Sequence, residues 1–474
     1  MSRMKSKTIN IAVLLAALFS LVSCLDTNDG DYVYTDDSAV TAFSVTSAKK
    51  AVHVRASNGA DSVYYTTATL SAYKFVIDQQ RCVIYNPDSL PYGVDPTKLL
   101  VSANSLNSGS LVLKSMTSDS LSYLSTTDSL DFSKPRELQV YSLSGAAVRK
   151  YEVRVNVHQE PADKFNWTKL PNATPFASTV TGVKSFTVTT AAGVTRRFLL
   201  ASDGNITTVF CADGDEAWHA ATPNFNHPLA ADAYRSAVVK HDTLFVCEHG
   251  TVMATTDGNQ WAQQCTGADV TRLIAANPVR LYAYNAQGAM LSSDDSGKTW
   301  KAASIDESAS LLPNGEIAYA TLPLNTNANA FRTLLIGSVP EASTTAFSIW
   351  GKIDEGDAYS ENQPWMFYDH NTLNRHELSL MQNFSAFTYD GKIMMVGNED
   401  RIYLPYFYGS RDGGITWEAD TVITSPLGFF VTGPYTVSVD KDHFIWFVSG
   451  KTGETWRGRI NRLGWKKEQY EYYE

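Results

Sequence analysis

Five short stretches of this chain end in tryptophan and read almost alike. They are "CADGDEAW" to Trp218, "TTDGNQW" to Trp261, "SDDSGKTW" to Trp300, "SRDGGITW" to Trp417 and "SGKTGETW" to Trp456. Three of the steps between them are about 40 residues, the period of propeller blades. The interval from Trp300 to Trp417 leaves room for two blades with an insertion, and Trp350 in "FSIWGKID" marks one of them. Such a period excludes most folds, because each unit must bury its apolar face against the next.

The residue types in the repeat explain themselves as a turn. Ser and Asp side chains hydrogen-bond nearby backbone N–H groups. Gly takes positive φ at little cost, and Trp folds its ring between neighbouring sheets. Asp412 therefore reads as a hairpin fastener rather than as an acid. The pattern Ser-x-Asp-x-Gly-x-Thr-Trp resembles the Asp-box, or BNR repeat, of sialidase-type β-propellers. Ser293, Asp295, Gly297, Thr299 and Trp300 match it fully, as do Ser410, Asp412, Gly414, Thr416 and Trp417. The copies at Asp257 with Trp261 and Asp213 with Trp218 are degenerate, and Lys451 replaces the aspartate ahead of Trp456. The resemblance implies that these turns lie on an outer rim, away from the ligand face. No full calcium loop accompanies "SDDSG" or "CADGDE", so no metal is expected there.

Short β-rich runs such as "SFTVTTA", "RRFLLAS", "TLFVCEH", "RLYAYN", "KIMMVG" and "HFIWFVSG" fill the spaces between the repeats. They predict an all-β fold with a six-bladed, alternatively seven-bladed, β-propeller over residues 165–474. "FNWTKL" around Trp167 is expected to add a strand to the final blade, closing the ring and removing exposed edges.

All ten tryptophans lie at Trp167 or later. Residues 38–160 instead carry alternating runs such as "KFVIDQQRCVIYN", "RELQVYSL" and "RKYEVRVNVHQ", bounded by turn residues. They predict an Ig-like β-sandwich acting as a spacer. It lacks a Cys–Trp–Cys hallmark, so the likeness is architectural. "HQEPADKF" reads as the linker to the propeller.

At the N-terminus, Arg3, Lys5 and Lys7 precede the apolar run "INIAVLLAALFSLV" and then "LVSC". The run is short for a membrane span. Residues 1–23 resemble a bacterial lipoprotein signal peptide, with Cys24 as the lipidated residue. Residues 24–37 form an acidic tether containing Asp26, Asp29, Asp31, Asp36 and Asp37. It resembles the tracts that carry Bacteroidetes lipoproteins to the cell surface. The expected location is the outer membrane, at the cell surface or periplasmic face, held through the lipid. Taken whole, the chain resembles uncharacterised Bacteroidetes lipoproteins with an Ig-like domain followed by an Asp-box propeller.

The net charge of −10, with no Lys/Arg cluster, argues against a nucleic-acid partner. Cys82, Cys211, Cys247 and Cys265 show no CxxC pairing. Export permits a bridge among the last three, although buried free thiols are the expected state. No cofactor motif is present: "HELSL" lacks a second His, and there is no GxSxG elbow.

Binding candidates are sparse. Arg235 in "DAYRSAVV" and Arg272 in "VTRLIAA" precede strands and could reach the pore mouth, where guanidinium suits carboxylate recognition. The irregular stretch 353–385 offers Trp365, Tyr368 and His370 for sugar or peptide, the plainer reading being a blade strand "WMFYD" with ordinary loops. The favoured function is a non-catalytic recognition platform for glycan or a surface protein. A sialidase-like glycoside hydrolase would need clustered arginines, a Tyr and two carboxylates in one pit, and the Arg-Ile-Pro motif of that family is absent. A structural scaffold of an outer-membrane assembly would instead show a flat top face.

Overall fold

The computed structural model describes residues 34–55, 61–171, 176, 179–266, 269–324, 326–339, 346–356, 360, 363–369, 374–399, 405–429 and 433–465. Residues 1–33, with the expected signal segment, Cys24 and most of the expected tether, and also His370, lie outside them. No helix among the described residues is long and apolar enough to cross a membrane. The chain divides into two compact units at Gln159 and Glu160.

The first unit is built from two sheets. One holds the strands Val40–Arg55, Asp61–Thr69 and Val94–Ser105, with the first at its centre. The other has six strands, in the order Val76–Asp78, Val83–Tyr85, Val148–Arg154, Arg136–Tyr141, Ser110–Lys114 and Leu121–Tyr123. Phe43, Val45, Leu99 and Val101 of the first sheet and Ile84, Leu138, Val140, Tyr151 and Val153 of the second share one core. The alternation in "RKYEVR" is the cause: Tyr151 and Val153 point inward while their neighbours face water. Tyr151 keeps its hydroxyl satisfied in this core, accepting from Val40 N at 3.2 Å and donating to Gln79 Oε1 at 2.5 Å. Val83–Tyr85 pairs with Val148–Arg154 in parallel, so the second sheet is mixed.

The second unit is a ring of six antiparallel blades. Their innermost strands are Gly182–Thr189, Ala237–Lys240, Arg272–Ala276, Ile317–Leu324, Gln382–Tyr389 and Tyr435–Val439, and we number the blades 1 to 6 in that order. Blade 6 takes Phe165–Lys169 as its outermost strand, paired with Thr455–Ile460. The chain thus closes the ring by stitching its beginning to its end, which leaves no blade unpaired. Gly458 lies where the closing strand comes nearest: an added Cβ would stand 2.4 Å from Phe165 and 2.7 Å from Trp167.

Small hydroxyl side chains knit the inner strands together. Thr436 Oγ1 of blade 6 accepts from Ser185 N of blade 1 at 2.9 Å. Ser236 Oγ, just ahead of blade 2, accepts from Leu273 N of blade 3 at 3.0 Å. Thr321 of blade 4 donates to Ala276 O of blade 3 at 3.0 Å. Between blades 3 and 4, the buried Asp354 carboxylate accepts from Arg280 and Asn277 at 2.6 Å each and from Tyr282 at 2.5 Å. A buried carboxylate with three donors is matched at both oxygens, which makes its burial tolerable.

The turns at Trp218, Trp261, Trp300 and Trp417 join the third strand of a blade to its fourth, whereas the stretch ahead of Trp456 joins the second strand of blade 6, Ile445–Ser449, to the third, Thr455–Ile460. In blade 3, Asp295 Oδ1 accepts from Ser293 Oγ at 2.8 Å and Thr299 N at 2.9 Å, and Gly297 N donates to Ser293 Oγ at 2.8 Å. Trp300 Nε1 then donates to Gly297 O at 3.1 Å. Blade 5 repeats the geometry with Ser410, Asp412, Gly414 and Trp417. In blade 2, Thr255 stands in for the serine, and Asp257 and Trp261 keep their bonds.

Blade 1 departs from the pattern. Asp213 there pairs with Arg196 at 2.7 and 2.8 Å instead of fastening its own turn. Its Trp218 and Trp446 of blade 6 hold the Arg197 guanidinium between them, 4.5 and 4.4 Å from the ring centres. Cation–π contact with the two rings is joined by a hydrogen bond from Arg197 to Glu216 O at 2.6 Å.

In blade 4 the loop after Ser348–Asp354 leads to Trp365, just ahead of the fourth strand Met366–Phe367. That is the position Trp300 and Trp417 occupy in their own blades.

The four cysteines Cys82, Cys211, Cys247 and Cys265 are free thiols, Cys211 and Cys247 being buried.

Candidate functional site

The inner strands surround a channel of about 690 Å³. Because strands alternate in direction, each inner strand begins at the end of the ring opposite the turns at Trp218, Trp261, Trp300 and Trp417. At that mouth the beginnings of blades 1 to 4 place Lys184, Tyr234, Arg235, Arg272 and Glu316 on one lining. Three cations thus share this mouth with the Glu316 carboxylate, and Asp232 lies near the two arginines.

Each side chain has a local reason for its place. Tyr234 and Arg235 sit on the short 3-10 turn Ala233–Ser236 that enters blade 2. Tyr234 lies over Gly182, where any side chain would meet its hydroxyl at 2.2 Å. Arg235 Nε donates to Tyr234 Oη at 3.0 Å and leaves the rest of its guanidinium exposed. Arg272, the first residue of its strand, anchors one nitrogen on Gly315 O at 2.9 Å and Asn314 O at 3.3 Å. Its Nε has no hydrogen-bond partner among the described residues.

Lys184 lies on the channel lining against two aromatic rings. Its Nζ lies 5.6 Å from the Phe186 ring centre and 5.9 Å from that of Tyr319, which comes from the opposite blade. Val239 N donates to Tyr319 Oη at 3.0 Å, so this tyrosine bridges blades 4 and 2. Burial pushes Lys184 down to about 7, with Arg272 adding to the effect and Glu316 opposing it. The same crowding raises Glu316 against the pull of Arg235, Lys184 and Arg272.

The sequence candidates separate here. Arg235 and Arg272 come together at the mouth. Trp365 does not join them, and its expected role in binding is corrected: it is fully buried, edge-on to Tyr282 at 4.8 Å, as the core tryptophan of blade 4. Tyr368 is also away from the mouth, half-buried, and donates to Gly413 O at 3.2 Å beside the blade 5 turn. Its contacts are those of the plainer strand reading. Lys184 and Glu316 went unnoticed in the sequence. Their one signal was position, since each lies at the start of an inner strand as Arg272 does. No group of three or more His, Cys, Asp or Glu side chains able to hold a metal occurs among the described residues.

Fold and mouth together define a six-bladed β-propeller with a charged channel entrance, preceded by a separate β unit. The chain belongs to the DUF6242 family: the DUF6242 beta propeller domain matches residues 161–468 and the DUF6242 N-terminal domain matches residues 43–155. None of the curated proteins compared matches the chain. Solved structures with similar traces include a lectin of Aleuria aurantia in complex with alpha-methyl-L-fucoside, at 11% identity over 60% of this chain and 93% of that one, TM-score 0.37. YCF48 from Cyanidioschyzon merolae follows at 15% identity over 62% and 98%, TM-score 0.31. A Trichoderma reesei carbohydrate-active enzyme of family AA12 gives 11% identity over 63% and 96%, TM-score 0.35. Likeness at these scores carries no functional meaning for this chain.

Proposed function

We propose that this chain is a lipid-anchored binding protein that receives an acidic glycan at the channel mouth. One observation carries the reading: blades 1, 2 and 3 deliver Lys184, Arg235 and Arg272 to the same opening, with Glu316 on the lining and Asp232 near the two arginines. Guanidinium groups with free N–H donors suit a sugar carboxylate, and Tyr234 offers an apolar face beside them. The first unit serves as an Ig-like spacer, the tryptophan turns are Asp-box clasps, and Cys24 carries the lipid that holds the protein at the outer membrane. Loss of metabolic lipid labelling in a Cys24→Ser variant is the expected result for the anchor.

The test is a glycan array probed with the full chain in detergent. Uronic-acid glycans should bind, neutral ones should not, and Arg272→Ala should weaken binding by about tenfold or more, as loss of a charge-assisted pair would. Binding confined to neutral glycans, or none at all, refutes the reading.

A hydrolase is the second reading, because Tyr234, Glu316 and Asp232 accompany the two arginines. Against it, Tyr234 Oη is engaged by Arg235, and Glu316 accepts no hydrogen bond from it. Release of aryl alcohol from sialyl or uronyl aryl glycosides, abolished in Glu316→Gln, would reverse that preference. A scaffold with no small ligand is disfavoured by the concave mouth.

A further inference from the structure

Lys184 is a charged group of the channel lining whose surroundings are aromatic. Tyr319 of the opposite blade, held to Val239 of blade 2, brings its ring centre to 5.9 Å from Lys184 Nζ. This Nζ donates no hydrogen bond and joins no ion pair among the described residues; what it touches are the faces of Phe186 and Tyr319. A lysine serving the fold would sit on a carboxylate or carbonyl, as Lys240 does on Val279 O at 2.9 Å and Lys392 on Asp420 at 2.8 Å. Lys184 instead lines the channel, close enough to feel both Arg272 and Glu316.

We propose that Lys184 is a reactive amine that condenses reversibly with an aldehyde or 2-oxo acid, whose anionic group is held by Arg235 and Arg272. This extends the reading of the mouth as an anion site and rests on it. The chemistry is that of lysines set in apolar pockets beside another cation. With Lys184 at about 7, a large share of the side chain carries a free lone pair at neutral pH.

The step balances without any added oxidant or reductant. The Nζ lone pair attacks the carbonyl carbon and the C=O π pair moves to oxygen. One proton passes from nitrogen to that oxygen, giving a carbinolamine. The hydroxyl then takes a second proton and leaves as water while the nitrogen lone pair forms the C=N bond. Glu316, raised by its crowding and close enough to feel Lys184, is the group placed to relay those protons.

The test uses glyoxylate on the full chain at neutral pH, with cyanoborohydride to reduce any imine to a stable carboxymethyl-lysine, read by peptide mass spectrometry. Glycolaldehyde, a neutral aldehyde of similar size, runs in parallel. Lys184 should be labelled by glyoxylate about tenfold or more faster than any other lysine. The exposed Arg235→Gln variant, and Arg272→Gln with its fold checked by circular dichroism, should lower that rate to the glycolaldehyde level. Surface lysines, unchanged in both, report the intact background. Labelling of Lys184 no faster than the surface lysines overturns the proposal, and if acidic glycans still bind, the mouth reading survives without it. Equal selectivity for both aldehydes overturns the anion-holding role and counts against the mouth reading as well.

Discussion

Lys184 of blade 1 and Tyr319 of blade 4 face each other across the channel, ammonium to ring centre at 5.9 Å. Neither strand is near the other in sequence. Closure of six blades makes them neighbours, and the same closure sets Arg235, Arg272 and Glu316 around them.

The turn carboxylates should be acid-sensitive. Burial raises Asp295, but Thr299, Ser293 and Lys298 donate to it and hold it down at about 2. A folded value below the unfolded one of about 3.9 stabilises the fold above that pH, and the contribution is lost as pH falls through about 2. Asp295→Asn should cost on the order of 1–2 kcal/mol at pH 7 and much less near pH 2. Urea unfolding at the two pH values measures the difference.

Trp417 should matter more than Asp412. It is buried among residues of blades 4 and 5, including Ile349, Leu378 and Phe384. Trp417→Ala should destabilise the propeller by roughly 3–5 kcal/mol, against about 1–2 kcal/mol for Asp412→Ala. Comparable losses in chemical denaturation of the two variants would show the turn, not the ring, to be the main clasp.

The buried carboxylate between blades 3 and 4 should reveal its dependence on a partner. Arg280→Met leaves Asp354 buried without its counter-charge, at a cost of about 3–5 kcal/mol. The double change Arg280→Met with Asp354→Leu should recover much of that loss. Equal destabilisation of single and double variants would contradict the account.

Ring closure should fail locally at Gly458. Gly458→Val places a side chain where Phe165 and Trp167 now lie, so the strand Phe165–Lys169 should detach. Amide exchange should quicken across that strand and Thr455–Ile460, while blades 2 and 3 keep their protection.

The buried thiols should stay silent. Burial pushes both Cys211 and Cys247 up to about 12. Thiolate is the reactive form, so iodoacetamide at pH 8 should leave both unmodified in the folded protein and label them after unfolding. Fast labelling of either in the native state would contradict their placement.

The sequence by itself determined the kind of fold. A tryptophan turn recurring at blade length specifies a local hairpin, and local hairpins of fixed period have few ways to bury their faces, so the propeller and its closing strand at Trp167 were legible. It also put Arg235 and Arg272 at the starts of strands, where a pore mouth would find them. The tertiary structure decided what pattern could not. Trp365 looked like a binding aromatic because its turn lacks the Ser-x-Asp spelling; packing made it the core tryptophan of blade 4. Asp213 looked like a clasp, yet Arg196 claimed it and two rings around Arg197 took over. Lys184 and Glu316 are ordinary residues until six sheets close. Their relation runs through space across the bore, between strands more than a hundred residues apart, and a period of about 40 residues records contacts within a blade and with the next one.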